Sequence, residues 1–358
     1  MSELVESTRP ESSNSKRKTL DWKVFVKIFI LVGILAFIFL FTDFSFAKLV
    51  GHITSADPWM LLGSFCCFGL VAVFVSYRWY YLLKIQEIYV SQFVAIQLSF
   101  IGIFFNSFLL GSTGGDVVRA VYILRYAPDK KARAFLSILM DRVIGFIILL
   151  IVGALLLLTQ IEVISHDERT IWMAYSVYAF LACGVVGMIA AYFFPLSWIP
   201  QTLQSLWIKV PKREIIEQLY FGFKDHGKHW KHSFTAIILS LALITSNFTS
   251  AYLITTALGV DASYLTVALI FVITVIVMGL PISLGGIGTR EAALLFLFVL
   301  FGLIPDKSES ELPLAVSFLY FMVITSWSLI GGVFYLLYKK QVPVDLKERS
   351  SSNNSSEK

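Results

Sequence analysis

Long apolar segments, separated by short polar ones, run along most of this chain. A helix needs about 20 apolar residues to cross the hydrocarbon core of a bilayer. By that measure the sequence predicts full transmembrane helices near 24–42, 59–83, 135–159, 171–194, 234–257 and 312–338. Two further apolar regions, about 90–124 and 264–304, are interrupted by pairs of glycines and are predicted as helical hairpins. The pattern therefore predicts an all-α polytopic membrane protein with about six full transmembrane helices and two hairpins.

The charges between these segments predict their orientation. Lys and Arg are concentrated around 125–133 and 209–231 and after 338, whereas the loops on the other side carry mostly Asp and Glu. The positive-inside rule fits this distribution if each hairpin is re-entrant and returns to the side from which it came. Three crossings then separate the hairpins, which makes the second an inverted repeat of the first. We expect an integral protein of a bacterial or archaeal cytoplasmic membrane with both termini in the cytoplasm.

Composition agrees with this class. Hydrophobic residues make up 57% of the chain and charged residues only 15%, and the mean hydropathy is +0.76. The net charge of +5 is explained by the cytoplasmic loops, so nucleic acid is not an expected partner. Cys66, Cys67 and Cys183 all lie in apolar runs, which predicts neither a disulfide framework nor a metal site.

The polar ends suggest the domain organisation. Residues 1–20 and 341–358 are predicted as disordered cytoplasmic tails that flank one transmembrane domain at 21–340. Apolar and basic residues alternate in the cytoplasmic segment 199–232, as expected for a stretch that lies in the membrane interface. His226, His229 and His232 recur in this segment, but without nearby Cys or clustered carboxylates they do not predict a metal site.

The two glycine interruptions have the same sequence pattern, S-x-G-G-x-x-x-R. Its members are Ser112, Gly114, Gly115 and Arg119 in the first copy and Ser283, Gly285, Gly286 and Arg290 in the second. Broken helices at corresponding places in two halves of a transporter often form a binding site near the middle of the membrane. Backbone N–H groups at a glycine turn and the start of the following helix attract anions, and an arginine can add bidentate hydrogen bonds. The repeat therefore predicts a phosphate or carboxylate site.

Other polar residues accompany these turns within the apolar regions. They are Asn106, Asp116, Asp141, Arg142 and Glu291. An ionisable group inside the membrane is costly and is by default a candidate for function. The alternative is that the arginines and the acidic residues only neutralise one another as structural ion pairs. Lys27 and Arg78, near span ends, are predicted to extend toward the interface.

The ordered motifs resemble those of the lysylphosphatidylglycerol synthase transmembrane family. The resemblance rests on Asn106, the stretch 111–119, Asp141-Arg142 and the stretch 281–291, and covers about 20–340; Leu110 stands where the family has a proline. It implies a lipid flippase that moves a phosphate-bearing headgroup between leaflets. Aminoacyl-phosphatidylglycerol, another phospholipid or a polyprenyl-phosphate-linked sugar are the candidate substrates. The short chain after the last span leaves no room for an aminoacyltransferase domain, so lysine transfer is not expected.

Two other function classes remain as alternatives. The chain could be a membrane enzyme or an accessory subunit of polyprenyl-phosphate-linked glycan assembly. No G-x-x-x-x-G-K-[ST] motif is present, so nucleotide hydrolysis by a P-loop is not expected. We expect a transporter rather than an enzyme, with no cofactor and with anionic membrane lipids as partners. A homo-oligomer and a separate lipid-modifying enzyme are further candidate partners.

Overall fold

The computed structural model of this chain describes residues 45–108, 114–160, 228–279, 288–305 and 309–341, together with Gly286 and short stretches within 171–186 and at 224–225. All regular secondary structure in this part of the chain is helical. Some predictions fall wholly or largely outside the described residues. These are the spans 24–42 and 171–194, the interfacial segment 199–232, and the two tails.

Nine helices lie within the described residues. In chain order they are α1 (Phe46–Ser55), α2 (Pro58–Ile85), α3 (Gln92–Phe108), α4 (Gly114–Ile123), α5 (Lys131–Thr159), α6 (Trp230–Ala257), α7 (Tyr264–Gly279), α8 (Thr289–Leu300) and α9 (Glu311–Gln341). Four of them, α2, α5, α6 and α9, are long and apolar enough to cross a membrane. They coincide with four of the six crossings that the hydrophobic pattern predicts.

Helices α2 and α6 form an antiparallel pair. Asp57 caps the start of α2, because its Oδ1 accepts a hydrogen bond from the backbone N–H of Trp59 (2.8 Å). The backbone N–H of Asp57 also donates to the carbonyl of Ala257 at the end of α6 (3.0 Å). Farther along, the hydroxyls of Ser64 and Ser250 are hydrogen-bonded at 2.8 Å. Small hydroxyl-bearing side chains thus let two apolar helices approach closely, as in other membrane helix pairs.

Helices α3 and α9 also depend on small residues where they cross. A Cβ added at Gly331 would overlap the carbonyl group of Phe100, and one at Gly332 would lie 2.8 Å from the Phe104 ring. The two backbones are therefore in direct contact at this point. Trp327 of α9 donates its indole N–H to the carbonyl of Phe65 in α2 (2.9 Å), which joins α9 to the α2–α6 pair.

The glycine-interrupted regions form two pairs of short helices, α3 with α4 and α7 with α8. Helix α4 has 10 residues and α8 has 12, so at 1.5 Å per residue neither is long enough to span the hydrocarbon. The two ends of the first pair meet, because Lys130 after α4 donates through Nζ to the carbonyl of Glu87 before α3 (2.7 Å). Arg133 forms an ion pair with the Glu87 carboxylate at the same place. This contact agrees with a hairpin that returns to its starting side.

Helix α7 lies in the centre of the main apolar core. The six consecutive residues 267–272 are each at most 1% exposed. A helix that is apolar on all sides and has no exposed face is buried among other helices. Helix α7 is therefore enclosed by protein rather than by lipid over these six residues.

Helix α1 was not predicted from the sequence. Its 10 residues are too few for a transmembrane segment, and none of them is buried. The backbone N–H of Ser45, which precedes α1, donates to Oε1 of Glu311 at the start of α9 (2.8 Å). From the hydrophobic pattern alone, this stretch is interpreted as a loop. Its position depends on contact with a helix more than 250 residues away, which a local pattern does not show.

Candidate functional site

Five charged residues form an alternating chain inside the helix bundle, which we call the charge chain. Its order is Arg142, Asp116, Arg119, Asp141 and Arg78. Arg142 Nε lies 2.8 Å from Asp116 Oδ2, and Asp116 Oδ1 lies 3.6 Å from Arg119 Nη1. The same Arg119 nitrogen is 3.3 Å from Asp141 Oδ2, and Asp141 Oδ1 is 2.7 Å from Arg78 Nε. Each carboxylate thus lies between two guanidinium groups.

Three helices supply the charge chain. Asp116 and Arg119 are three residues apart on α4 and therefore share one face. Asp141 lies nearly three helical turns into α5, and Arg78 about two turns before the end of α2. The exposed fraction is only 2% for Asp141 and 5% for Arg119. Arg78 and Asp116 are buried as well, whereas the side chain of Arg142, at one end of the charge chain, is 52% exposed.

The prediction that Arg78 extends to the interface is wrong. Arg78 is buried and donates from Nε to Asp141 and from Nη1 to Ser240 Oγ (3.1 Å). Gly145 leaves room for this guanidinium, since a Cβ added there would lie 3.0 Å from Nη1. Position near a helix end suggested a snorkelling side chain, but partners on α5 and α6 draw it inward. Arg78 and Asp141 are 63 residues apart in the sequence, so the sequence alone does not show that they form a pair.

Arg119 is held from several sides. Its guanidinium carbon lies 4.1 Å above the ring of Trp79, and its alkyl chain packs against Gly102, where a Cβ would come 2.5 Å from Cδ. The Trp79 indole is in turn fixed by a hydrogen bond to Ser137 Oγ (3.2 Å). Within the part of the chain that the structure describes, Arg119 Nε and Nη2 are buried and have no hydrogen-bond partner. This residue is tightly positioned, with part of its donor capacity unused.

The first glycine turn is fixed by Asn106. Its Oδ1 accepts a hydrogen bond from the backbone N–H of Gly115 (2.8 Å), which satisfies an amide at the start of α4. A Cβ at Gly115 would overlap the carbonyl of Gly102 in α3. Glycine is thus required here for close packing of the hairpin. Gly114 is the first residue of α4, and Ser112 lies outside the described residues.

The second copy of the pattern builds a separate cluster at the start of α8. Arg290 donates from Nε to Ser317 Oγ (2.7 Å) and from Nη2 to Glu291 Oε1 (2.8 Å). Ser317 passes a hydrogen bond on to Glu291 (2.5 Å), and Glu291 Oε2 also accepts from the backbone N–H of Gly288. Gly288 and Gly286 adopt positive φ angles of 84° and 81°, which favour glycine. Ser283 and Gly285 lie outside the described residues.

A cavity of about 550 Å³ adjoins the charge chain. Part of its wall is polar, and the rest is apolar. The polar wall consists of Arg78, Asp116, Asp141, Arg142 and Asn247; the rest consists of Gly145, Phe146, Leu149, Leu243, Ile244, Phe248, Val275, Met278 and Gly279. Its volume falls in the usual range for small-molecule sites. Arg119 and Arg290 are not among its lining residues.

Residues from both glycine-interrupted regions line the cavity. Asp116 at the start of α4 lines one part of it, and Met278 and Gly279 at the end of α7 line another. A Cβ at Gly286 would come 2.5 Å from the terminal carbon of Met278, so the second glycine turn packs directly behind the cavity wall. Both interrupted regions thus contribute to one space, as the repeated pattern suggests.

Asn247 connects the cavity with the Arg290 cluster. It accepts a hydrogen bond through Oδ1 from the hydroxyl of Tyr320 (2.7 Å). Tyr320 lies about one helical turn after Ser317, which is bonded to Arg290 and Glu291. No hydrogen bond or ion pair joins the two arginine clusters directly in the described part of the chain. They are linked by this polar face of α9.

The predicted site residues therefore fall into two groups. Asn106, Gly115, Asp116, Arg119, Asp141 and Arg142 come together in and around the charge chain, and of these Asp116, Asp141 and Arg142 line the cavity. Gly286, Arg290 and Glu291 form the second group. Sequence analysis did not identify Arg78 or Asn247 as site residues, because no motif marks either of them within its apolar segment. A metal site is not indicated among the described residues, which contain no suitable group of three His, Cys, Asp or Glu side chains.

Comparison with known proteins places the chain among membrane proteins. A family profile described as "Lysylphosphatidylglycerol synthase TM region" matches residues 24–332. A "UPF0104 membrane protein" of Pyrococcus horikoshii is 23% identical over 87% of this chain and 97% of its own length. Two proteins with the same description from Methanothermobacter thermautotrophicus are 24% and 22% identical, over 96% and 79% of this chain and 99% and 88% of their own lengths.

Proposed function

Because the chain belongs to the lysylphosphatidylglycerol synthase transmembrane family, we propose that it is a lipid flippase that moves a phosphate-bearing headgroup between the two leaflets. Aminoacyl-phosphatidylglycerol, another phospholipid and a polyprenyl-phosphate-linked sugar all carry a suitable phosphate. The proposal is supported most by one observation, the arginine-rich charge chain on the polar wall of a cavity inside the helix bundle.

The charge chain favours an anionic ligand. It contains three guanidinium groups and two carboxylates, and two of the guanidinium groups, those of Arg78 and Arg142, line the cavity. A phosphate group in the cavity would accept charge-assisted hydrogen bonds from arginine.

The walls of the cavity favour an amphipathic ligand. Polar groups form part of the lining, and Phe146, Leu149 and Phe248 are among the apolar side chains that form the rest. A lipid presents a charged headgroup and a hydrocarbon chain at the same time. Such a molecule can satisfy both walls, whereas a small polar solute would leave the apolar wall in contact with water.

The paired hairpins fit a transport mechanism. An isolated phosphate would face a prohibitive desolvation cost in hydrocarbon, so transfer needs a polar path through protein. The charge chain lies at one hairpin and the Arg290 cluster at the other, with Asn247 and Tyr320 between them. In transporters with inverted repeats, rocking of one repeat against the other exposes a central site to each side in turn. We propose that the headgroup follows this polar face.

Reconstituted liposomes provide the test. Phosphatidylglycerol with a fluorescent acyl chain is incorporated, and dithionite, which does not cross the bilayer, quenches the label in the outer leaflet. Transfer lowers the fraction of label that stays protected. We expect wild-type protein to transfer this lipid and Arg142→Gln to transfer it at least tenfold more slowly, because the substitution removes a guanidinium group that can donate charge-assisted hydrogen bonds to a phosphate at the cavity wall.

Lys131→Gln is the matched control, since it removes one positive charge from an exposed position at the start of the same helix. It should transfer lipid as the wild type does. A fluorescent glucosylceramide, which has no phosphate, should not be transferred by either protein. Equal transfer of phosphatidylglycerol by Arg142→Gln and wild type would overturn the role of the charge chain. A new covalent lipid product would instead indicate an enzyme. If neither transfer nor a product is observed, the result would indicate an accessory subunit.

A further inference from the structure

We propose that α1 is an amphipathic helix that lies flat in the boundary between the lipid headgroups and the acyl chains, at the face of the bundle where α2 and α9 begin. Its partner is the surface of the bilayer itself. Helix α1 contributes no residue to the charge chain or to the lining of the cavity, so this proposal does not depend on lipid transfer.

The sequence of α1 has two distinct faces. Its four large apolar side chains recur at spacings of three and four residues or less, which places them on one side of a helix. We call them the apolar stripe, which consists of Phe46, Leu49, Val50 and Ile53. The opposite side carries Lys48, His52 and Ser55, and α1 contains no acidic residue. A basic polar face opposite an apolar stripe is typical of helices that lie on a membrane.

The protein covers the apolar stripe only in part. Phe46 is 70% exposed and Val50 is 41% exposed, and none of the ten residues of α1 is buried. Ile53, near the end of the helix, packs partly against the main apolar core. Helices this short are marginal in water and depend on packing of an amphipathic face. The lipid that surrounds the bundle can supply the apolar contact that the protein leaves out.

Both ends of α1 are attached to the ends of membrane-crossing helices. The backbone N–H of Ser45 donates to Glu311, the first residue of α9 (2.8 Å). At the other end, only Ala56 and Asp57 separate α1 from α2. The backbone N–H of Asp57 also donates to the carbonyl of Ala257, the last residue of α6 (3.0 Å). Since α2, α6 and α9 are each long and apolar enough to cross a membrane, α1 lies at the face where all three reach the bilayer surface.

These attachments place α1 along the bilayer surface. Its ten residues are about 15 Å long, and both of its ends lie beside the starts of crossing helices. Trp59, in the first turn of α2, is 78% exposed, and tryptophan favours the depth of the headgroups. Because Ile53 contacts the core, the same face of α1 presents Phe46 and Val50 toward the edge of the bundle, where lipid begins. Amphipathic helices bury such a face about 5–10 Å into the headgroup–acyl boundary.

Spin labels on single cysteines test this placement. The full-length protein without its three native cysteines is reconstituted in liposomes of equal parts phosphatidylcholine and phosphatidylglycerol. Phe46→Cys and Val50→Cys place the label on the apolar stripe, and Lys48→Cys and Ser55→Cys are the matched controls, since these positions are exposed on the opposite face. Collision rates are measured with oxygen, which concentrates in hydrocarbon, and with a water-soluble nickel complex. The ratio of oxygen to nickel collisions should be at least about threefold higher on the stripe than at the controls.

Two other patterns would overturn the proposal. If labels on the stripe meet the nickel complex as often as the label at Lys48→Cys does, the stripe lies in water. If labels on the stripe are shielded from both oxygen and nickel, then protein covers it, either another segment of this chain or a second copy. Leu70→Cys, on an exposed position in the middle of α2, provides the reference for contact with lipid.

Amide hydrogen exchange tests whether lipid stabilises α1. The double variant Phe46→Gln and Val50→Gln removes apolar contact, and glutamine favours a helix at least as much as phenylalanine or valine does. Exchange of the amides in 46–55, measured in the same liposomes, should be about tenfold faster than in wild type, because the helix loses its apolar support. Lys48→Gln, on the polar face, is the control and should exchange as wild type does. Equal exchange in the double variant and in wild type would show that lipid contact does not hold α1 and would contradict the proposal.

Discussion

Individual residues in the charge chain depend on partners far away in the sequence. Asp141 receives Arg78 from α2 and Arg119 from α4, at 2.7 and 3.3 Å. With 2% exposure it cannot exchange either partner for water. The stability of the site therefore depends on complete charge pairing within a buried network.

Replacing Asp141 should be strongly destabilising. Asp141→Ala leaves Arg78 and Arg119 buried with a common partner missing, and breaking a buried pair in this way costs about 3–5 kcal/mol. Thermal unfolding of the detergent-purified protein measures the effect. Asp129→Ala, in an exposed loop, is the control and should change stability little. Equal losses for the two variants would show that the network does not stabilise the fold.

At the scale of elements, small residues determine how closely the hairpins and the long helices approach. Gly115 brings α4 onto α3, and Gly331 brings α9 onto α3. Since α3 carries Asn106, these two contacts also set the position of the first glycine turn. Close backbone approach is a common basis for association between membrane helices.

Two neighbouring glycines of α9 allow a direct comparison. A Cβ at Gly331 would overlap a backbone carbonyl in α3, whereas one at Gly332 would meet the Phe104 ring, which can move. Gly331→Ala should therefore destabilise the protein by about 1–3 kcal/mol, and Gly332→Ala by less. Thermal unfolding and lipid transfer of the two variants provide the measurements. A larger effect at Gly332 would contradict the close approach of α3 and α9.

At the scale of the whole molecule, a labelling experiment can test how the protein is oriented in the membrane and whether the first glycine-interrupted region is re-entrant. Single cysteines are introduced at Ser91, Asp129 and Asp261, all exposed, in a variant that lacks the three native cysteines. A re-entrant first hairpin leaves Ser91 and Asp129 on the same side, as the contact of Lys130 with Glu87 suggests. The positive-inside rule places that side in the cytoplasm and Asp261 outside.

A membrane-impermeant maleimide added to intact cells should thus label Asp261→Cys, and should label Ser91→Cys and Asp129→Cys only after permeabilisation. Labelling of Ser91→Cys and Asp129→Cys from opposite sides would mean that 90–124 crosses the membrane an odd number of times. Labelling of Asp261→Cys only after permeabilisation would reverse the orientation.

The sequence predicted the elements well where hydrophobic length is decisive. Helices α2, α5, α6 and α9 match four predicted crossings, and the glycine interruptions match the breaks between α3 and α4 and between α7 and α8. Helix α1 escaped prediction because it is neither long nor buried. Its position depends on a contact with the start of α9, which no local pattern encodes.

The site was predicted in part. The repeated pattern identified Asp116, Arg119 and Arg290, and the charged pair on α5 added Asp141 and Arg142. The sequence could not show that Arg78 turns inward or that Asn247 joins the two clusters, since both depend on packing between helices distant along the chain.

The sequence by itself determined that the chain crosses a membrane, which segments are apolar enough to do so, and where two of them break. These follow from the cost of exposing polar backbone to lipid, which acts on each segment separately. Only the tertiary structure decided which charges pair, which arginines reach the cavity, and how the hairpins enclose it. Those outcomes depend on distances of a few ångströms between helices, and an electrostatic interaction at that range is set by geometry rather than by sequence order.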